Sequence, residues 1–185
     1  YDLQKPDIVI NDVNPFVKIY DWNNDKYLDL VAFSNENELL LLENKKNEFI
    51  KKATNIKLSN SEQLKKIIIC DFNNNNKKDI LILADNTITI FAENINNKYE
   101  EIKYLKINNN TNIKQIYDVN IDDDKKNDLL ILYNSGELAI YRNIGNYNFE
   151  LVNAEMGIEV IDRFSYIIPF DYNNDGLTDF LAQTN

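Results

Sequence analysis

Short apolar runs separated by Asp- and Asn-rich segments dominate the hydrophobic pattern of this chain. One apolar run follows each polar segment, and a second comes within a few residues. A third run is more polar, and a fourth, apolar run leads into the next polar segment. Their Ile, Leu, Tyr, Phe and Thr content predicts β-strands. In that order the runs are "LDLVAF", "DILILA", "DLLILY" and "DFLAQT"; "ELLLLE", "TITIFA" and "ELAIYR"; "EFIKKA", "YEEIKYLKI" and "FELVNA"; and "KKIIIC", "IKQIYDV" and "SYIIPF".

The same pattern predicts how deeply each strand is buried. The two runs that flank a polar segment are nearly continuous in apolar residues, as expected where both faces are covered. The next run is mixed, and the last alternates like an edge strand with one wet face. Four antiparallel strands in each period of about 50 residues form the blade of a β-propeller. The predicted fold class is therefore all-β, because a TIM barrel or doubly wound sheet would need a helix in every period.

The polar segments repeat a nine-residue loop with Asp or Asn at positions 1, 3, 5 and 9. The loops are 21–29, 71–79, 120–128 and 171–179, and we number them one to four. The third segment, "DVNIDDDKKND", allows two registers. A start at Asn120 places an apolar residue at position 2, as in the other loops, and spaces the four starts by 50, 49 and 51 residues. A start at Asp118 gives less regular spacings, so the register that begins at Asn120 is favoured.

The spacing of these oxygen-bearing side chains predicts loops that wrap around Ca²⁺. Calcium takes roughly six to eight oxygens from carboxylates, amides, backbone carbonyls and water. The wrap favours positive φ near position 6, where Gly is best tolerated. Gly176 holds that position in loop four, whereas the other loops carry Lys26, Asn76 and Lys125. The candidate side-chain ligands are Asp21, Asn23, Asp25, Asp29, Asp71, Asn73, Asn75, Asp79, Asn120, Asp122, Asp124, Asp128, Asp171, Asn173, Asp175 and Asp179, and the candidate carbonyl ligands at position 7 are Tyr27, Lys77, Lys126 and Leu177.

The number of carboxylates ranks the loops. Loops one, three and four supply three each, and loop two supplies two because Asn75 replaces an acid. The expected affinity is highest in loop four, next in loop one and lowest in loop two, with loop three unplaced. An EF-hand is excluded, because it would need a bidentate Glu at position 12 and flanking helices. Position 12 instead lies inside predicted strands and is occupied by Ala32, Ile82, Ile131 and Ala182.

Net charge bears on whether the loops bind metal at all. Polar turns without metal remain an alternative, since Asp and Asn favour turns on their own. The candidate ligands include eleven of the 30 acidic residues, which leaves nineteen against 20 Lys and Arg. Nearly all of the net charge of −10 therefore lies in the loops, where like charges repel unless a cation is present.

Composition limits the other functions. With 185 residues, 44% of them hydrophobic, the chain is long enough for one domain with a substantial core. The chain has no His and one Cys, Cys70, which we expect to be buried. This excludes the usual zinc sites, Ser/His and Cys/His nucleophile pairs and an intrachain disulfide, although a site made of carboxylates alone stays open. The negative charge argues against nucleic acid and anionic membranes as partners, and no apolar run is long enough to insert into a membrane.

Four loops correspond to three and a half blades, whereas propellers close with about four to eight. Residues 1–185 are therefore interpreted as one partial propeller domain whose open faces would be covered by the remainder of the propeller. The missing initiator Met and signal features predict a mature protein or an excised piece. The segment "PDIVIND" is interpreted as a strand of a preceding blade or a closing strand. "NNT" at 109–111 is a glycosylation acceptor if the chain is secreted.

The loop followed by an apolar strand resembles the FG-GAP (also called VCBS) repeats of integrin α-subunit propellers. Within that group, "FDYNNDGLTDFLAQTN" and "YDWNNDKYLDLVAFSNENELLLLEN" are most similar to the T-cell immunomodulatory protein family. The resemblance implies that the candidate side chains at positions 1, 3, 5 and 9 bind calcium in a structural role, pinning the hairpin between the first two strands of each blade. It also implies a secreted or type I membrane protein associated with cell adhesion. The Phe-Gly and Gly-Ala-Pro signatures are absent, and the chain has only 4 Gly.

These observations favour a non-enzymatic, calcium-stabilised propeller that binds a protein partner at the cell surface or in a lumen. Free calcium is high in such compartments, so even weak loops would fill. Two alternatives stay open. The residues could be the accessory domain of a secreted enzyme, or they could be a sugar-binding propeller, for which Tyr99 and Tyr147 are the weak candidate aromatic residues.

Overall fold

The computed structural model describes residues 13–46, 48–59, 62–96, 98–106, 112–158 and 163–184. Every regular element in these ranges is a β-strand. The segments "PDIVIND" and "NNT" lie outside the described residues. The strands are β1 (Val13–Tyr20), β2 (Asp29–Ser34), β3 (Glu38–Asn44), β4 (Phe49–Lys57), β5 (Leu64–Cys70), β6 (Asp79–Ala84), β7 (Thr87–Glu93), β8 (Tyr99–Lys106), β9 (Ile113–Val119), β10 (Asp128–Tyr133), β11 (Leu138–Gly145), β12 (Asn148–Leu151), β13 (Phe164–Phe170) and β14 (Asp179–Thr184).

Strands that are consecutive in sequence are neighbours in the sheets. Sheet one has the order β1-β2-β3-β4, sheet two β5-β6-β7-β8 and sheet three β9-β10-β11-β12, and sheet four contains β13 and β14. The pairings are antiparallel. The prediction of an all-β fold built from four-stranded antiparallel propeller blades is confirmed, and each candidate loop joins the first two strands of its sheet.

The chain divides into two compact units, residues 1–62 with 94–100 and residues 63–93 with 101–185. Sheet one belongs to the first unit, and its core lies on the two central strands. Val31 pairs with Leu41 and Phe33 pairs with Leu39, and all four side chains are buried. This pairing brings the densest apolar runs of the first blade side by side.

In the second unit, β10 contributes side chains to two cores. Leu129 and Ile131 point to one face and join Ile68 and Leu81 of sheet two. The alternate residues of β10, Leu130 and Leu132, point to the opposite face and pack in the core that contains Ile167 of sheet four. Successive residues of a strand face opposite sides of the sheet. A strand between two packed sheets therefore needs apolar residues at every position, and β10 reads "DLLILY" for that reason.

Burial departs from the sequence prediction at the first strands of sheets two and three and at both strands of sheet four, where β14 is largely exposed. Every residue of β6 and β10 is buried, as predicted for the second strand. The preceding strands are only partly buried, and β9 exposes Lys114 and Asp118. The expectation of equal burial was wrong because the first strand lies at the end of its sheet, whereas the second has a strand on each side.

Sheet four has one covered face and one open face. Ile167, Phe180 and Ala182 belong to the core shared with sheet three. On the opposite face, Ile168 pairs with Leu181, and these side chains are 44% and 62% exposed. We call this surface the open face of sheet four; its members are Tyr166, Ile168, Phe170 and Leu181.

Candidate metal-binding loops

The four loops share one backbone conformation. Position 6 has positive φ in each, as the sequence predicts, and so does position 4, which the sequence analysis did not anticipate. Asn and Asp tolerate this left-handed region better than other non-Gly residues, which explains their use at position 4. The third loop follows the register that begins at Asn120. The φ values are 57° at Asn24 and 71° at Lys26, 60° at Asn74 and 63° at Asn76, 55° at Asp123 and 64° at Lys125, and 57° at Asn174 and 88° at Gly176.

The aspartate at position 9 anchors each loop to the backbone. Its Oδ2 accepts a hydrogen bond of 2.8 to 3.0 Å from the amide of position 2 in all four loops. In loops one and three its Oδ1 also accepts the amide of Asn44 (2.8 Å) or Asn143 (2.7 Å), each near the end of the third strand. Asp29, Asp79 and Asp128 are buried. This carboxylate therefore fixes the hairpin through hydrogen bonds that do not involve an ion.

In loop four the oxygens at positions 1, 3 and 5 all accept amides of their own loop. The amide of Asp175 donates to Asp171 Oδ1 (3.2 Å) and to Asn173 Oδ1 (3.0 Å), so one donor brings these two oxygens together. The amide of Gly176 donates to the second oxygen of Asp171, and the amide of Leu177 donates to Asp175. The hydrogen bonds from Leu177 and then Asn173 lower the pKa of Asp175, so this carboxylate stays ionised.

Loop one repeats these contacts. The amide of Asp25 donates to Asp21 and Asn23, that of Lys26 to Asp21, and that of Tyr27 to Asp25, over 2.9 to 3.1 Å. No Lys or Arg among the described residues forms an ion pair with the carboxylates at positions 1 and 5 of loops one and four.

Loop two has the same amide contacts and one addition from sheet three. The hydroxyl of Tyr147 accepts a hydrogen bond from Asn73 Nδ2 and donates one of 3.1 Å to Asp79 Oδ1. Burial raises the pKa of Asp79 to about 6, although hydrogen bonds from Phe72 and Tyr147 act in the opposite direction. In loop two the Tyr147 hydroxyl therefore donates to Oδ1 of the position 9 aspartate. In loops one and three an amide of the third strand donates to that oxygen.

Loop three differs at position 1. Asn120 Nδ2 donates to the carbonyl of Gly176 (2.7 Å), and its backbone amide donates to Thr178 Oγ1 (2.9 Å). Its Oδ1 is buried without a hydrogen-bond partner, whereas the Asp at this position in the other loops accepts two amides. Position 1 of loop three is thus tied to loop four.

Two carboxylates of loop three form ion pairs with basic side chains of the chain itself. Arg142 Nε lies 3.0 Å from Asp122 Oδ2 and forms an ion pair with it, and Lys126 Nζ forms an ion pair with Asp124. Desolvation acts to raise the pKa of Asp124, but the hydrogen bonds and charge of Lys126 outweigh it, and the pKa is lowered. Desolvation raises the pKa of Asp128 at the base of the loop.

A second repeated element was missed by the sequence analysis. At the end of the third strand stand the dipeptides Glu43-Asn44, Glu93-Asn94 and Arg142-Asn143. Glu43 accepts a hydrogen bond of 2.7 Å from Asn23, Arg142 contacts Asp122, and Glu93 lies 3.5 Å from Lys77. Each contact is to position 3 or 7 of the loop in the same sheet. The three dipeptides have the same spacing from position 9, and this spacing could have identified the repeat in the sequence.

The donor set fits a hard cation best in loops one and four. Both offer oxygen ligands from two Asp and one Asn at positions 1, 3 and 5, and oxygen is the ligand that calcium prefers. At position 9, both oxygens of Asp29 and Oδ2 of Asp179 accept backbone amides. Within the described ranges no three acidic or Cys side chains form a metal-binding cluster. A bound ion would be held by positions 1, 3 and 5, the carbonyl of position 7 and water, and in loop four the second oxygen of Asp179 would be available as well.

A family profile described as FG-GAP-like repeat matches residues 21–82 and 120–182, more than half of the chain. The chain belongs to the FG-GAP-like repeat family. The match covers all four loops of this repeat protein. A search of curated proteins finds no match.

Among solved structures, the fold is similar to a lectin of Agrocybe aegerita that specifically recognises non-reducing terminal N-acetylglucosamine. The TM-score is 0.63 at 13% sequence identity, over 90% of this chain and 46% of the lectin chain. The chain thus spans about half the length of that relative, and the likeness concerns the fold. Among the described residues, no helix could cross a membrane.

Proposed function

We propose that these FG-GAP-like repeats form a non-enzymatic, calcium-stabilised propeller module that binds a protein partner on the outside of a cell or in a lumen. The arrangement of loops one and four carries the proposal, because in each the position 5 amide brings the oxygens of positions 1 and 3 together, and the position 5 carboxylate accepts the amide of position 7. Calcium would supply positive charge at this point. The protein's own residues form the hairpin, and the ion would tighten it.

The proposed location follows from the weakness of such sites. The position 9 carboxylate accepts backbone amides in every loop, so each loop offers few free side-chain ligands. Calcium sites of extracellular modules have Kd values of about 10⁻⁴–10⁻³ M. We further propose that the chain resembles the adhesion-associated propellers of the T-cell immunomodulatory protein family more than other FG-GAP proteins. The loop sequences "DWNNDKYLD" and "DYNNDGLTD" support this.

The stabilising role is tested by thermal unfolding in a chelator and in about 1 mM calcium chloride. We expect a calcium-dependent rise in the unfolding midpoint that Asp175→Asn reduces. Asp118→Asn is the matched control, because Asp118 is exposed and lies outside the favoured loop register. An equal midpoint with and without calcium would mean that the loops are metal-free turns.

The binding role is tested by flow cytometry of cells incubated with fluorescently labelled protein. We expect cell binding in calcium that trypsin treatment of the cells abolishes, since the proposed partner is a protein. The Asp25→Asn/Asp175→Asn double variant should bind less, because its loops are less ordered. Cell binding that resists trypsin but is lost after glycosidase treatment would contradict a protein partner.

A sugar-binding propeller is the second candidate, and the fold of the N-acetylglucosamine-specific lectin favours it. It predicts retention on a resin that displays terminal N-acetylglucosamine and elution by the free sugar. Tyr147 is a poor candidate aromatic platform, because it is buried and its hydroxyl is hydrogen-bonded within loop two.

For the remainder of the propeller, we propose that the open face of sheet four packs against a further blade. Sheets two and three pack through alternating apolar side chains, and this face offers the same alternation at Tyr166, Ile168 and Phe170. A contiguous surface of exposed large apolar side chains marks an interaction site.

A further inference from the structure

Loop three has as many candidate ligand carboxylates as loops one and four, yet its surroundings differ. Asp122 and Asp124, at positions 3 and 5, each form an ion pair with a basic side chain. Asp122 and Asp124 also accept amides of their own loop, as the position 3 and 5 side chains do in loops one and four, so the added ion pairs are what distinguishes loop three.

Arg142 is held between two acids. Its Nε lies 3.0 Å from Asp122 Oδ2, an ion pair by distance without the geometry of a hydrogen bond, and its Nη2 donates a hydrogen bond of 2.8 Å to Glu155. The Arg142 and Asp122 side chains are each 27% exposed, so the pair is partly shielded from water. The equivalent positions in sheets one and two carry Glu43 and Glu93. Sheet three therefore differs from its two counterparts by a reversal of charge beside the loop.

Lys126 completes the arrangement. It occupies position 7, and its ammonium pairs with Asp124 two residues earlier. Loops one and four carry Tyr27 and Leu177 at this position, which have no charge to offer. Both carboxylates that would face an ion in loop three thus already have a counter-charge from the chain.

We propose that Arg142 and Lys126 close loop three in place of calcium. Loop two has a single carboxylate, Asp71, among positions 1, 3 and 5, so the chain takes calcium in loops one and four only. The inference rests on the proposed calcium-binding function and specifies where that function resides. An ion entering loop three would have to displace both cations before it gained the same two carboxylates. The unpartnered Oδ1 of Asn120 is one neutral oxygen, which a water molecule can satisfy, whereas calcium needs several ligands.

The first test counts bound ions by isothermal titration of the intact chain with calcium chloride. The expected stoichiometry is two. Asp25→Asn and Asp175→Asn should each remove one ion, and Asp124→Asn should leave the count at two. Loss of an ion on Asp124→Asn would overturn the inference while leaving the proposed function intact. Absence of any calcium binding by the wild-type chain would instead overturn the proposed function.

The second test removes the two basic side chains that form ion pairs with loop three. Arg142→Gln combined with Lys126→Gln should create a third calcium site, or tighten binding at loop three at least tenfold, and Asp124→Asn added to that pair should abolish the gain. Lys125→Gln combined with Lys114→Gln is the matched control for the lost charge, because neither residue forms an ion pair within the described residues. An equal gain in the control, or no gain in the test variant, would overturn the assigned role.

A stability measurement covers the case in which the double variant folds poorly. Arg142→Glu places at this position the residue type that sheets one and two tolerate at Glu43 and Glu93. In chelator its thermal midpoint should fall, because Asp122 loses its partner, and calcium should restore the midpoint by more than it raises that of the wild type. A fall that calcium does not reverse would contradict the proposal.

Discussion

At the residue scale, Asn143 bridges several backbone groups, a role that an ordered water often has inside a protein. It is buried, and its Nδ2 contacts the carbonyls of Phe72 (2.7 Å) and Asn127 (3.1 Å). Its amide donates to Asp128, and its Oδ1 accepts the amide of Gly145. One side chain therefore satisfies backbone groups of loop two, loop three and β11.

Replacement of this residue should be costly. We expect Asn143→Ala to lower the free energy of unfolding by about 2–4 kcal/mol, because it removes a hydrogen bond to the buried carbonyl of Phe72 and two to the partly buried carbonyl of Asn127 and amide of Gly145. Urea denaturation followed by circular dichroism measures the change. Asn134→Ala, at an exposed turn, is the control and should stay within about 0.5 kcal/mol of the wild type. An equal loss in the two variants would contradict this account of Asn143.

Glu43 should make stability depend on acid pH. Burial alone would raise its pKa, but hydrogen bonds from Asn23, Lys45 and Lys52 together lower the pKa to about 2. A carboxyl whose pKa is depressed by folding stabilises the protein fully above its unfolded pKa of about 4.5, and this contribution is lost as the pH falls towards 2. The partner lysines are about half exposed, so we expect roughly 1–2 kcal/mol.

The measurement compares the wild type with Glu43→Gln by urea denaturation at pH 6 and pH 2.5. The stability difference between the two proteins should be present at pH 6 and should shrink by roughly 1–2 kcal/mol at pH 2.5. Glu36→Gln, in an exposed turn, is the control. A difference between wild type and Glu43→Gln that is the same at both pH values would refute the role given to the Glu43 contacts.

At the scale of elements, the loop is specified largely by its own nine residues. In loops one, two and four, nearby backbone amides donate Asx-type hydrogen bonds to the side-chain oxygens of positions 1, 3 and 5, whatever occupies position 6. The backbone is left-handed at position 6 with Lys26, Asn76, Lys125 or Gly176. Local hydrogen bonds thus offset the conformational cost of a side chain there.

The conformational cost of a side chain at position 6 can be measured in loop one and in loop four. At Gly176 an added Cβ would meet no atom within 4 Å, so Gly176→Ala should lower stability only through backbone strain, by about 1 kcal/mol. At Lys26, whose φ is 71°, the change to Gly relieves that strain and should raise stability by about 0.5 kcal/mol. Thermal unfolding in chelator measures both. Changes of the same sign in the two variants would contradict the assignment of strain to position 6.

The sequence predicted most of the elements because their signals are local. Alternation and apolar runs located the strands, and the even spacing of loops chose the register at Asn120 that the backbone follows. The exposed residues of β9, such as Asp118, were not anticipated, because the place of a strand in its sheet depends on pairing rather than on its own residues. The calcium affinities stay a prediction.

The side chains that reach the loops from elsewhere could not be predicted in the same way. Tyr147 closes loop two from 68 residues away from Asp79, and Arg142 reaches Asp122 across a hairpin. Counting carboxylates places loop three with loops one and four. The nine-residue motif does not include Arg142, so its charge does not enter that count. Only the packing of β11 shows that Arg142 lies beside Asp122.

At the scale of the whole molecule, the open face of sheet four should control association. Tyr166, Ile168, Phe170 and Leu181 are between 41% and 62% exposed on one surface. We expect the isolated chain to self-associate at micromolar concentration and Ile168→Lys/Leu181→Lys to reduce this association, because charge on an apolar surface opposes burial. Sedimentation velocity measures the change. Glu101→Lys/Asp118→Lys, at exposed positions of β8 and β9, is the control, and a monomeric wild type would contradict the prediction.

The strand order described above also has a consequence for synthesis. Each strand within a sheet pairs with the strand that precedes or follows it in the chain. Contacts close in sequence form quickly, and domains tend to fold from the N-terminus as the chain leaves the ribosome. Each blade can therefore complete its hydrogen bonds soon after its fourth strand emerges. A ribosome that pauses between blades would leave no unpaired central strand exposed to aggregation.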